Sequence, residues 1–367
     1  MLKIQHKIPT LEQCREICKV KPEFREINKG DYIVFDYMLS DGNTFDDPMS
    51  LEMRGIAFHP DGTLAGLGLH KFFNYGEKPV ELCLDGTEEV LEKLDGSMIR
   101  VIKLTEGGVW TFGTRAGETD VSDLADNYIA SLNTSSYDAF IEVCLEEGLW
   151  PIFEFWSPGN AVVVKYPEPF LKVIAIRTSE GHYWEHHEVK SFAAPFGLEC
   201  AEYSSHGFMK TLADYPSMKG IEGFVVRTNT GWCKLKTDEY RQLHKAIEGV
   251  KFDKDVVRMI LDGTIDDALP LIPEPRKSEV EELRKSVVEY TVTLEWHIQS
   301  VAKICASLIA MGVSRKDIVT SLGDSKVRSQ ILAVIDGRDS SDQVKNILFK
   351  ASATTPLWNA FAKENLK

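Results

Sequence analysis

The chain has 367 residues, 43% hydrophobic and 27% charged, with a formal net charge of −14. That length admits two domains with a full core, and the acid excess excludes a protein that coats nucleic acid indiscriminately, while a local basic groove on an acidic body stays open. No apolar run approaches the span of a bilayer, the amino terminus (Met1-Leu2-Lys3-Ile4-Gln5-His6-Lys7) lacks a signal-peptide core, and the seven cysteines are an odd number, which together predict a cytoplasmic protein with free thiols. Cys14 and Cys18 are spaced to share a helix face and read as core-facing thiols rather than zinc ligands, because no second Cys/His pair lies nearby.

In chain order, Leu11, Ile17, Cys18 and Phe24 fall on one face of a helix predicted over 9–28, which Lys29-Gly30-Asp31 breaks. Aromatic and β-branched residues predict a strand over Tyr32–Met38, followed by a polar loop at 40–50. Met53–His59 and Thr63–His70 read as a hairpin around Pro60-Asp61-Gly62. Arg54 at its start is either a strand-edge charge or a guanidinium aimed at an anion, and Lys71 is either a solvated strand end or a functional cation. A further apolar run ends at Lys93, where Leu94-Asp95-Gly96 turns the chain. A lysine presented at such a turn becomes a nucleophile once its ammonium loses a proton.

Residues 98–104 and 109–113 predict a hairpin around Glu106-Gly107-Gly108, leading to Thr114-Arg115-Ala116-Gly117. Thr119–Leu132 and Ser136–Gly148 read as helices, the first capped by Thr119 or Ser122. In the strand Pro151–Trp156, Glu154 faces opposite to Phe153 and Phe155, so it is either exposed or needs a partner, a metal or a ligand hydroxyl. Strands follow at 161–165 and 170–177. Glu185-His186-His187-Glu188 invites a metal reading, but adjacent histidines on a strand point apart, which favours a solvated loop. Ile221–Arg227 and Trp232–Lys236 form a hairpin that puts Lys234 and Lys236 on one face, either as a solvated edge or around an anion. Helices begin at Thr237 and Asp253, and Glu279–Met311 is one long helix with Val280, Leu283, Val287, Leu294, Ile298, Val301, Ile304 and Leu308 as its apolar stripe. Strand signals stop near 250, which predicts an α+β domain of largely antiparallel strands over 1–250 and a smaller all-helical domain over 251–367.

Taken together, Lys93, the cations Arg54, Lys71, Arg115, Lys234 and Lys236, and the acids Glu154 and Glu222 suit chemistry on a polyphosphate. No Gly-x-x-x-x-Gly-Lys-Ser/Thr loop is present, so side chains on sheets would cradle the phosphates. In order, type and spacing these residues resemble the covalent nucleotidyltransferase superfamily of ATP-dependent ligases and mRNA capping enzymes. Lys93-Leu94-Asp95-Gly96 matches its first motif, Phe153-Glu154-Phe155 its third, Glu222-Gly223-Phe224-Val225 its fourth and Lys234-Leu235-Lys236 its fifth. Leu51-Glu52-Met53-Arg54-Gly55-Ile56, Lys71-Phe72-Phe73-Asn74, Lys236-Thr237-Asp238-Glu239-Tyr240 with Leu243-His244, and Asp262-Gly263 before Asp266-Asp267 are similar to the phage-type RNA ligase 1 family over about 31–270. Arg115 departs from that pattern, standing where relatives carry a lysine and keeping the charge but not the shape.

The resemblance implies an ATP-dependent RNA ligase of nucleotidyltransferase fold, with antiparallel sheets flanked by helices. Lys93 would carry AMP, pass it to an RNA 5′-phosphate, and a 3′-hydroxyl would displace it. ATP would be bound by Tyr37, Arg54, Lys71, Asp95, Glu154, Lys234 and Lys236; Arg115 is the candidate for the sealing step; Glu222 and Asp266 would contact Mg²⁺, with Mn²⁺ as a substitute. Cations near Lys93 would keep its amine unprotonated. The expected partners are single-stranded or tRNA-loop ends, met by a monomer in RNA repair, within the host cytoplasm if phage-encoded. The rivals are a DNA ligase, a capping-type nucleotidyltransferase and a non-catalytic RNA-binding relative. The first two normally carry an OB domain where this chain turns helical, and the intact Lys93, Lys234 and Lys236 speak against the third.

Overall fold

The computed structural model describes residues 7–38, 43–77, 88–104 and 109–366. The turn expected at Glu106-Gly107-Gly108, the first residues of the 40–50 loop and most of the amino-terminal segment lie outside them. The chain divides into two compact units, Met1–Arg241 and Gln242–Lys367. Among the described residues no helix is long and apolar enough to cross a membrane.

The first unit opens with α1 (Leu11–Val20), capped by Thr10 in a reciprocal box with Gln13. The helix stops well before residue 28. Lys21, held extended by the following Pro22, is its C-cap, and Phe24–Asn28 forms β1 against β2 (Ile33–Tyr37). β3 (Ile56–Phe58) and β4 (Leu64–Gly66) complete a four-stranded sheet whose apolar residues pack on Leu11, Cys14 and Ile17. Arg54 precedes the strand expected to contain it, in a turn after the short 3₁₀ segment Ser50–Glu52.

Two more four-stranded sheets build the rest of the unit. One runs β10-β9-β7-β8 and the other β5-β12-β11-β6. Their strands are β5 (Phe73–Asn74), β6 (Glu89–Lys93), β7 (Ser97–Lys103), β8 (Trp110–Gly113), β9 (Leu149–Trp156), β10 (Phe170–Thr178), β11 (Gly223–Arg227) and β12 (Trp232–Lys236). All pairings are antiparallel except β5 with β12, so the α+β class with largely antiparallel sheets holds. On the β7–β9 sheet, Ile99, Val101, Phe153 and Phe155 face a core shared with Ala125, Phe140 and Val189 of the helices α2 (Asp120–Ser131), α3 (Ser136–Glu146) and α4 (His186–Ala193). Alternation sends Met98 and Glu154 to the opposite face. On the β6–β11–β12 sheet, Val90, Phe224, Val226, Cys233 and Leu235 pack with Phe208 of α5 (Phe208–Asp214), which leaves Leu91, Lys93, Val225, Arg227, Trp232 and Lys234 on the other face.

Two expectations fail between these sheets. Residues 161–165 form no strand, because the Val163 and Val164 amides are spent on the Asp95 carboxylate. Glu185-His186-His187-Glu188 is a helix start rather than a loop: Glu185 and Glu188 form a reciprocal cap, His186 is buried on Ala201 O and His187 is exposed.

The second unit is helical. It takes in the end of α6 (Asp238–Gly249), then α7 (Asp253–Asp262), α8 (Ile265–Ala268) and α9 (Arg276–Ala310), followed by α10 (Arg315–Ser321), α11 (Arg328–Ile335), α12 (Ser340–Ala351) and α13 (Thr355–Asn365). Its core joins Val257, Val287, Ile298, Ala302, Ile331, Leu348 and Trp358. Ile304 and Leu308 are 60% and 38% exposed, whereas Ala302 and Cys305 are buried. Two apolar tracks leave Ile298 at three- and four-residue steps, and the helices packed on α9 cover the one with the smaller side chains.

Candidate active site

The register of the β6–β11–β12 sheet sorts its inner face into rows. Lys93 pairs across Gly223 to Lys236, Leu91 across Val225 to Lys234, and Glu89 across Arg227 to Trp232. This face and the inner face of the β7–β9 sheet enclose a cavity of about 200 Å³. Arg54, Glu92, Lys93, Glu154, Arg227 and Lys234 provide its charge, and Phe72, Leu91, Val225 and Trp232 part of its apolar lining.

Two glycines make the close approach possible. A Cβ on Gly96 would stand 2.4 Å from Phe155 O, and one on Gly223, where φ is +146°, would stand 1.8 Å from Leu235 O. The turn after Lys93 thus lies directly on β9, where Gly96 N donates to Glu154 Oε1 at 3.2 Å. Asp95 anchors that turn. Its Oδ1 accepts from Tyr240 Oη at 2.7 Å and its Oδ2 from the Val163 and Val164 amides at 2.8 and 2.6 Å, while its own amide donates to Tyr166 Oη at 3.0 Å. Protein donors occupy both carboxylate oxygens, so in this state Asp95 acts by positioning Lys93.

Lys93 Nζ donates to Glu222 Oε2 at 2.9 Å, and Lys236 Nζ lies 3.0 Å from Glu222 Oε1. Burial works against charge on Lys93, but Glu222 and Glu154 outweigh it and hold the amine above its ordinary value. At rest Lys93 is therefore a paired ammonium. The expectation that neighbouring cations keep it neutral fails, because the Glu222 and Glu154 carboxylates hold its charge. That effect falls on Lys234 instead. Buried, and surrounded by Arg54, Lys93, Lys71 and Lys236, Lys234 is pushed down to about 6. Its Nζ sits 4.7 Å over the Phe72 ring. Burial pushes Glu154 up to about 7, with the Lys93 charge acting against the shift and Glu222 adding to it.

Arg54 joins this cavity to a second cationic cluster. Among the described residues its Nη1 has only long contacts, to Leu69 O at 3.4 Å and Met98 Sδ at 3.5 Å. Lys71 Nζ donates to Tyr37 Oη at 3.3 Å, and Arg115 lies 4.2 Å over the Tyr37 ring with its Nε 2.9 Å from Asp36 Oδ1. Burial would raise the Tyr37 phenol, but Lys71, Arg115 and Arg54 hold it below its ordinary value. Asp266 belongs to the second unit, where Arg284 holds its carboxylate at 2.8 Å. Among the described residues no three His, Cys, Asp or Glu are grouped to hold an ion. A divalent cation would thus find the Glu222 carboxylate beside Lys93, a hard-oxygen donor that ligand oxygens and water would have to complete.

A sequence model of a protein family described as RNA ligase matches residues 52–242, a span that holds every residue of the cavity. The chain belongs to the RNA ligase family. Relatives include a "Putative RNA ligase" of Thermovibrio ammonificans, 26% identical over 293 residues and covering 76% of each chain. RNA ligase 1 of bacteriophage TS2126 is 27% identical over 254 residues, covering 62% of this chain and 61% of that one. Among solved structures, an archaeal ATP-dependent RNA ligase is 15% identical, with a TM-score of 0.46, covering 81% of this chain and 80% of that chain. Within this RNA ligase, sequence reasoning missed Phe72, Arg227 and Trp232 as cavity residues. Their signal was present: each lies one or two residues from a singled-out lysine, or two positions along a paired strand.

Proposed function

We propose that the chain is an ATP-dependent RNA ligase that joins 5′-phosphate and 3′-hydroxyl ends through an adenylyl group carried on Lys93. One observation carries this reading: the Lys93 amine opens onto a cavity with Arg54 and Lys234, and among the described residues neither of these cations has a carboxylate partner. Unpaired, partly buried cations beside an amine favour a polyanion.

In the first step the Lys93 nitrogen attacks the α-phosphorus of ATP. The P–N bond forms as the bond to the bridging oxygen breaks, and pyrophosphate leaves with the electron pair. Lys93 must first shed a proton, and Glu154, poised at about 7, is suited to take it near neutral pH. Arg54 and Lys234 offset charge on the phosphates, and charging Lys234 there reverses its discharge in the free protein. A divalent cation on Glu222, Mg²⁺ or Mn²⁺, would offset phosphate charge and weaken the hold of that acid on Lys93. In the second step an RNA 5′-phosphate oxygen attacks the same phosphorus and the P–N bond breaks. In the third, a 3′-hydroxyl attacks the RNA phosphate and AMP leaves.

In this reading residues 1–250 carry adenylyl transfer, 251–367 form a separate helical domain, and the substrate is a single-stranded or tRNA-loop break. Incubation with α-labelled ATP, followed by a denaturing gel and by joining assays on single-stranded, nicked-duplex and tRNA-loop RNA, tests it. Label retained on the protein together with joined RNA is the expected result. Absence of both overturns the reading, and labelling by GTP in place of ATP would point to a capping-type enzyme.

A further inference from the structure

The third row of the sheet, Glu89–Arg227–Trp232, has no part in the chemistry above. One row lies between it and the Lys93 row, so the two are roughly 13 Å apart along the strands at about 3.3 Å per residue. Arg227 is 1% exposed and Trp232 4%, yet both line the cavity. The guanidinium stacks 4.4 Å over the indole, and its Nη2 donates to Trp184 O at 2.7 Å. Its Nε lies 3.4 Å from Glu89 Oε2, too poorly aligned for a hydrogen bond. Arg227 Nη1 and Trp232 Nε1 have no hydrogen-bond partner among the described residues. Buried N–H groups without partners are costly, so two of them on one wall of a cavity point to acceptors that a ligand brings. Between this row and Lys93 the lining is apolar, with Phe72, Leu69, Leu91, Ile174 and Val225, which suits a flat ring and not a phosphate.

We propose that Arg227 and Trp232 are the base-reading end of the nucleotide pocket, donating Nη1–H and Nε1–H to ring-nitrogen acceptors of a purine. The inference rests on the nucleotide reading above and extends it to which base is accepted. A purine carries ring acceptors on more than one edge and fills a deeper slot than a pyrimidine, so the distance between the rows favours it.

The test is self-labelling of the full chain by the triphosphates of adenosine, guanosine, cytidine and uridine, and by the 1-, 3- and 7-deaza analogues of ATP. Trp232→Phe keeps an aromatic ring and removes one donor. It is expected to raise the KM for ATP roughly tenfold, the worth of one hydrogen bond, with kcat for labelling little changed and purine-over-pyrimidine preference reduced by a similar factor. In the unaltered protein at least one deaza analogue should lose affinity by a like amount, an arm that holds even if the variant folds poorly. Labelling by ATP with unchanged KM and base preference in Trp232→Phe, or equal labelling by all three deaza analogues, overturns the inference and leaves the ligase reading intact. Failure of every nucleotide to label the unaltered protein overturns both.

Discussion

Two neighbouring rows of one sheet face treat charge in opposite ways. In the first, Lys93 and Lys236 share the Glu222 carboxylate at 2.9 and 3.0 Å, and the row is electrically satisfied at rest. In the second, Lys234 lies among Arg54, Lys93, Lys71 and Lys236 with its Nζ over the Phe72 ring, and is pushed down to about 6. The paired row must be opened before its amine can react, whereas the unpaired row is stabilised only when an anion arrives. One face thus holds a paired amine beside an unpaired one, and in the proposed reading these are the nucleophile and a phosphate contact.

Breaking the first row at its nucleophile should give the largest effect. Lys93→Ala is expected to abolish retained label completely while the melting transition persists, since the side chain is partly exposed and its backbone stays in the ladder; a variant that still becomes labelled removes Lys93 from its role. Glu222→Gln makes the first row resemble the second. Losing the carboxylate that holds Lys93 up should move the rise in labelling rate to lower pH, and Lys236 should lose its tether; an unshifted pH profile would dissociate Glu222 from the nucleophile's ionisation.

A smaller effect sharpens the second row. Because Lys234 is depressed in the native state, the unfolded chain holds a proton that the native state lacks between about 6 and the ordinary lysine value. Stability of the nucleotide-free protein should therefore rise with pH across that window. A bound phosphate restores the proton, so nucleotide affinity should fall by up to about tenfold per pH unit above about 6. Both slopes should flatten in Lys234→Met, read by thermal melts and by titration calorimetry in buffers of different ionisation enthalpy. The smallest effect is expected for Asp266→Ala. Its pair with Arg284 is surface-exposed and worth about 0–1 kcal/mol, so the melting transition should move little, while the magnesium dependence of labelling should weaken; unchanged magnesium titrations would remove Asp266 from the metal site.

Much of this site was legible in the sequence because strands encode their faces by alternation. Once 223–227 and 232–236 are read as strands, Lys234 and Lys236 must share a side, and Glu154 must oppose Phe153 and Phe155. Register was not legible. Nothing local places Lys236 opposite Gly223, or brings Glu222 within 2.9 Å of Lys93 from 129 residues away, so the paired ammonium could not be foreseen. Local periodicity also misled where tertiary demands prevailed. The helical spacing of Cys18 and Phe24 runs on past Pro22 into a strand, and the β-branched run at 161–165 gives its amides to Asp95.

The ring of donors around Asp95 also constrains reach. Tyr240, Tyr166 and two valine amides clamp the backbone immediately after Lys93, so that lysine can travel only by rotating its own four-carbon arm. Every molecule that meets a cargo on that arm must come inside the small sphere the arm can sweep. Successive substrates would then have to take turns at a single address.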